Sequence, residues 1–127
     1  MNIRNEEKNR VRVGVFGVGS LGQHHARIYA SLENAELIGV YDVDSSRAAQ
    51  IAKTHNTRAF ESFDDLASRI EAASVAVPTN HHFEIAARLM DRHIHLLVEK
   101  PIAVTTDEAE KMVDLARQKE IILQVGH

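Results

Sequence analysis

The chain has 127 residues, 44% of them hydrophobic and 26% charged, with a formal net charge of −3. That length suits one domain with a true hydrophobic core, and the slight acidity leaves no electrostatic footprint for nucleic acid or an anionic membrane. There is no cysteine, which excludes disulfides and cysteine-ligated metal and fits a reducing, cytoplasmic setting, and no apolar run approaches the length of a membrane span.

Residues 1–10 are polar, lack the apolar core of a signal peptide, and read as a flexible tail. A first strand is expected over 12–16, followed by Gly17-Val18-Gly19-Ser20-Leu21-Gly22 and a helix whose stripe is Leu21, His25, Ile28, Tyr29 and Leu32. The second strand, 36–41, ends at Asp42. Ser45 is then expected to cap a helix carrying Ala48, Ala49, Ile51 and Ala52. A short strand over 58–60 precedes Ser62 and Asp65, which resemble a capping box ahead of Leu66 and Ile70. A fourth strand is placed over 74–77, then a helix with Phe83, Ala86, Ala87 and Met90 inward. The fifth strand is 95–98. Thr105 and Glu108 form another capping box, opening a helix with Ala109, Met112, Val113 and Ala116 inward, and a sixth strand covers 121–125.

Several strands are apolar throughout, as in a sheet buried on both sides. The alternation predicts an α/β protein: a doubly wound parallel sheet of Rossmann type, about six strands in the order 3-2-1-4-5-6, with helices on both faces.

Strand, Gly-x-Gly-x-x-Gly, helix, strand and an acid about 20 residues on make the dinucleotide-binding fingerprint in its required context. Gly17 permits the tight turn, Gly19 lets backbone approach a diphosphate, and Gly22 lets the helix lie close on the sheet. Val18, Ser20 and Leu21 belong to the same loop, and the helix's free N–H groups face the phosphates. Asp42 would accept from the adenosine-ribose hydroxyls and repel a 2′-phosphate, so NAD is preferred. Arg47 could receive that phosphate, which keeps NADP open; otherwise it is a solvated surface residue.

Asp42-x-Asp44-x-Ser46 begins like a calcium loop, but Arg47 and Lys53 stand where glycine and the bidentate glutamate are needed. After the fourth strand, Val77, Pro78, Thr79, Asn80 and His82 lie near the expected cofactor path, and Asn80 could also cap the next helix. Glu99 and Lys100 follow the fifth strand and face the crevice. They are the candidate catalytic pair, or else a surface ion pair. The histidines lack zinc-ligand spacing, so no metal is expected.

Together, GVGSLGQHHA at 17–26, YDVD at 41–44, AVPTNHHFEIA at 76–86, VEKPIA at 98–103 and VGH at 125–127 resemble the glucose–fructose oxidoreductase / inositol dehydrogenase (Gfo/Idh/MocA) family, specifically its nucleotide-binding domain. The resemblance implies NAD(P)-dependent hydride transfer at a hydroxyl carbon of a sugar, sugar nucleotide or inositol, with Lys100 near nicotinamide and substrate and Glu99 beside it. The local wording is most similar to members that oxidise the 3-hydroxyl of UDP-N-acetylglucosamine-type sugars. It also implies a second domain that holds substrate and forms the oligomer. With residues 11–127 taken up by the cofactor domain, the expectation is a truncated chain that binds cofactor without turnover and oligomerises only with that domain. A non-catalytic NAD(H)-binding or redox-sensing module is the alternative. Short-chain dehydrogenases fit less well, because Tyr29 and Tyr41 lack the lysine four residues on. A methyltransferase would leave Glu99-Lys100-Pro101 unexplained.

Overall fold

Short apolar strands alternating with amphipathic helices build one parallel sheet covered on both faces. The computed structural model describes residues 10–126. The expected tail, 1–10, lies outside them except for Arg10, whose Nη2 donates to the Ala35 carbonyl at 3.1 Å. The elements are β1 (Val11–Phe16), α1 (Ser20–Ser31), β2 (Ala35–Tyr41), α2 (Ser45–Thr54), β3 (Arg58–Phe60), α3 (Phe63–Ala67), β4 (Ala72–Val75), a 3-10 turn (Thr79–His81), α4 (His82–Met90), β5 (His95–Val98), α5 (Thr106–Lys119) and β6 (Leu123–Val125). The strand order is β3-β2-β1-β4-β5-β6, as expected, with every pair parallel. The winding reverses between β1 and β4, so a crevice opens where their carboxyl ends part.

Adjacent residues of β1 serve opposite faces, as the strand period of two requires. Val15 joins Val40 under α1 and α2, against Ala26, Ala48 and Ile51. Phe16 joins Val75 and Val98 under α3, α4 and α5, against Leu66, Leu89 and Met112.

Five local expectations need correction. The fourth strand is Ala72–Val75 rather than 74–77. Ala72 and Ala73 are weak strand formers, but they are held on both sides by register with Val13 and Gly14 of β1 and with His95 and Leu96 of β5. The strand ends early because Gly17 lies against its exit, where a Cβ would sit 2.6 Å from Val77 N. The sixth strand starts at Leu123, because Glu120 is left-handed (φ 58°) and Ile121 N still bonds Ala116 O at 2.9 Å to close α5.

The stripe on α1 is rotated. Gly22 and Ala26 face the sheet with the partly buried His25 and Tyr29, while Leu21, Ile28 and Leu32 are 52%, 46% and 47% exposed. Close approach at Gly22 and Ala26 requires small residues at those two positions, while His25 and Tyr29 face inward through polar atoms that meet Ser74. Ala49 and Val113 are likewise exposed, leaving Ala48, Ile51, Met112 and Ala116 inward.

The cap of α2 is Asp44, not Ser45: its Oδ1 accepts from Arg47 N at 3.1 Å. Ser62 and Thr105 cap as expected, accepting from Asp65 N at 3.2 Å and Glu108 N at 3.1 Å. Thr105→Ala is therefore expected to cost about 1 kcal/mol, read as a lower urea midpoint at unchanged slope.

Candidate functional site

At the carboxyl ends of β1, β2, β4 and β5 lies an open cleft of about 700 Å³. Gly17, Gly19, Ser20 and Leu21 form one part of its wall, and Asp42 and Arg47 another. Val77, Pro78, Thr79 and His82 lie opposite, with Glu99 and Lys100 at the exit of β5.

The glycines divide the work. Gly17 has φ +95°, and a Cβ there would press on the backbone of Ala76 and Val77 at 2.6–2.8 Å. At Gly22 a Cβ would sit 1.7 Å from the Gly17 carbonyl oxygen, which locks the turn to the helix. At Gly19 it would meet only Arg47 Nη1, at 3.7 Å. The protein itself leaves the space over Gly19 open. Gly19 is also the N-cap of α1, which has no side-chain cap and no acid in its first turn. Its leading N–H groups therefore remain directed at the cleft.

Asp42 spans the loop. Its Oδ2 accepts from Val18 N and its Oδ1 from Asp44 N, both at 2.9 Å. Arg47 leans over it, with Nη1 4.0 Å from Asp42 Oδ2 and Nη2 3.9 Å from Asp44 Oδ2. Glu99 is buried and pairs with His25 Nε2 rather than with Lys100. Lys100 is exposed on the cleft and makes no ion pair among the described residues. His82 is 2% exposed. Its Nε2 faces Val77 O at 2.8 Å, and its Nδ1 faces Pro101 O at 3.0 Å and Ile102 O at 3.2 Å.

Three expected site residues do not line the cleft. The side chain of Val18 is fully buried beneath α1 and α2, and it is the Val18 N–H that meets Asp42. Gly22 acts through packing. Asn80 lies exposed in the 3-10 turn and caps nothing, because α4 starts from His81 without a side-chain cap.

The cleft also includes residues that the sequence reading missed. Tyr41, Phe63 and Arg88 line it, with Phe63 edge-on to Tyr41 at 5.8 Å and the Arg88 guanidinium 3.7 Å over the Phe63 ring. Tyr41 immediately precedes Asp42, a signal that was available. Nothing local marks Arg88, which arrives on α4 from across the sheet.

A glycine turn at the β1–α1 junction, a carboxylate ending β2 and a crevice at the switch point together define a Rossmann dinucleotide-binding domain. The family profile described as "Oxidoreductase family, NAD-binding Rossmann fold" matches residues 11–127, and the chain belongs to this family, Gfo/Idh/MocA. It is 39% identical over 117 residues to a UDP-N-acetylglucosamine 3-dehydrogenase of Acidithiobacillus ferrooxidans, covering 92% of this chain and 37% of that protein. The solved structure of that enzyme superposes with a TM-score of 0.90, covering 93% of this chain and 38% of the other. A glucose-6-phosphate 3-dehydrogenase of Bacillus subtilis is 35% identical over 115 residues, which are 91% of this chain and 33% of the relative. The crystal structure of GenD2 from gentamicin A biosynthesis, in complex with NAD, gives a TM-score of 0.89 at 27% identity, covering 93% of this chain and 34% of that one. The chain thus spans about a third of the length of these relatives. Among the described residues, no helix is long and apolar enough to cross a membrane.

Proposed function

We propose that the cleft binds NAD in extended form. Its diphosphate lies over Gly19 and the first turn of α1, its adenosine ribose lies at Asp42, and its nicotinamide points toward Glu99 and Lys100. The observation that carries this reading is the open space at Gly19, where the backbone is bare and the helix end uncapped. When bound, nicotinamide supplies a two-electron hydride acceptor. This chain's residues do the rest: the loop fixes the diphosphate, Asp42 orients the ribose, and Lys100 holds a substrate hydroxyl by hydrogen bonding.

NAD is preferred over NADP because the Asp42 carboxylate would stand against a 2′-phosphate. Arg47 softens that preference without reversing it, because its guanidinium already leans on Asp42 and Asp44. In the whole protein, the reaction is oxidation of a hydroxyl carbon of a sugar, sugar nucleotide or inositol. The 39% identity to a UDP-N-acetylglucosamine 3-dehydrogenase supports a sugar-nucleotide 3-hydroxyl. The lack of cysteine suits the cytoplasm, where this reading places the protein.

Titration with NADH, followed by fluorescence, tests the reading on this chain. Wild type is expected to bind. Asp42→Ala should weaken binding by about 1–3 kcal/mol, the scale of charged hydrogen bonds, and narrow the gap between NADH and NADPH. A wild-type chain that binds neither ends the proposal.

A further inference from the structure

Behind the cleft, four side chains from three parts of the fold form an unbroken line of hydrogen bonds that dinucleotide binding leaves unused. Tyr29 Oη on α1 lies 2.7 Å from Ser74 Oγ on β4. Ser74 Oγ lies 2.8 Å from His25 Nδ1, and His25 Nε2 meets Glu99 Oε1. Ser74 is fully buried, and the His25 and Glu99 side chains are 13% and 12% exposed. Only Glu99 reaches the cleft, next to Lys100.

We propose that Tyr29, Ser74, His25 and Glu99 form a proton store at the nicotinamide end of the cleft, filled or emptied according to the charge of the bound ring. This rests on the dinucleotide reading above. The line has two hydrogen-bonded states, the second of which turns the Tyr29 hydrogen off the line. With a neutral imidazole, Nε2–H donates to Glu99, Ser74 O–H donates to Nδ1, and Tyr29 O–H donates to Ser74 Oγ. With an imidazolium, both ring nitrogens donate, and Ser74 accepts from Nδ1–H while turning its own hydrogen to Tyr29 Oη. One proton enters, the Ser74 and Tyr29 hydroxyls rotate, and no heavy atom has to move.

The His25–Glu99 pair is anionic in the first state and neutral in the second. An oxidised ring is cationic and favours the anionic pair; a reduced ring is neutral and lifts that bias. Oxidising a hydroxyl liberates one proton, and the line provides a place for it beside Lys100.

Other charged or titratable groups share the cleft or α1 with the pair. Lys100 stands at the exit of β5, and His82, Glu84 and Arg88 line the α4 wall. The exposed His24 lies next to Arg27. Gly126 approaches Glu99 from the β6 side, and His127 beyond it lies outside the described residues. The variant His25→Asn separates the store from all of these.

The test is calorimetry on this chain with NAD+ and with NADH over about pH 5–8. In wild type the affinity for NAD+ relative to NADH is expected to rise about tenfold across that range. In His25→Asn the ratio should stay flat while NADH still binds. A second readout needs no variant: the His25 ring 15N shifts should move toward neutral imidazole with saturating NAD+ and toward imidazolium with NADH. If both nucleotides bind wild type with a ratio indifferent to pH, or if His25→Asn keeps the wild-type slope, the store is overturned and the dinucleotide reading stands. If neither nucleotide binds, both fall.

Discussion

Gly19→Val is expected to weaken NAD and NADH binding by more than about 100-fold while leaving thermal stability close to wild type. Residue 19 sits at φ −68°, ψ −157°, outside the left-handed region that favours glycine, and a Cβ meets nothing closer than Arg47 Nη1 at 3.7 Å. The fold's demand for glycine here is only that of an N-cap, and the larger demand comes from the occupant. A branched side chain over the first turn of α1 fills the volume through which phosphate oxygens must approach the N–H groups. Losing two charge-assisted hydrogen bonds at about 1.5–3 kcal/mol each gives the expected effect. NADH titration paired with a melting curve checks it. Normal binding by a folded variant would remove the diphosphate from this loop.

Gly22→Ala is expected to do the reverse, costing about 3–5 kcal/mol of stability before any question of binding arises. Intrinsic propensity has the opposite sign, since alanine in a helix interior is favoured over glycine by roughly 1 kcal/mol. The contact decides the outcome: a Cβ 1.7 Å from the Gly17 carbonyl oxygen cannot be relieved by rotating a side chain. Either the turn opens or α1 lifts from the sheet, exposing Ala26 and unseating the His25 and Tyr29 contacts to Ser74. Urea denaturation measures the loss. A variant within about 1 kcal/mol of wild type would show that α1 backs away at little cost.

The strand order and the placement of the cleft were legible because they rest on sequence-local signals: the glycine turn, the acid ending β2 and the strand–helix alternation. The errors lie where tertiary contact outweighs local pattern. The inward line of α1 follows Gly22 and Ala26 rather than Leu21, Ile28 and Leu32, because the turn meets the helix at Gly22 and because His25 and Tyr29 find a polar partner in Ser74. Ala72 and Ala73 become strand through their neighbours on both sides. Asp44 takes the cap because the helix already begins at Ser45, which leaves Asp44 as the residue whose side chain faces the first free N–H groups. The alternative that Glu99 and Lys100 form an ion pair fails in the structure, since the partner of Glu99 is His25, 74 residues away in sequence. No spacing rule could bring α1, β4 and the end of β5 to one point.

His82 ties the exit of β4 to the chain beyond β5, with Val77 on one ring nitrogen and Pro101 and Ile102 on the other. The β4 and β5 exits therefore shift as one piece, and a guest meets that bank of the crevice already set. The entropy lost on entry falls on the half-exposed Arg47 and the exposed Lys100, whose long side chains must settle, while the backbone has little left to surrender.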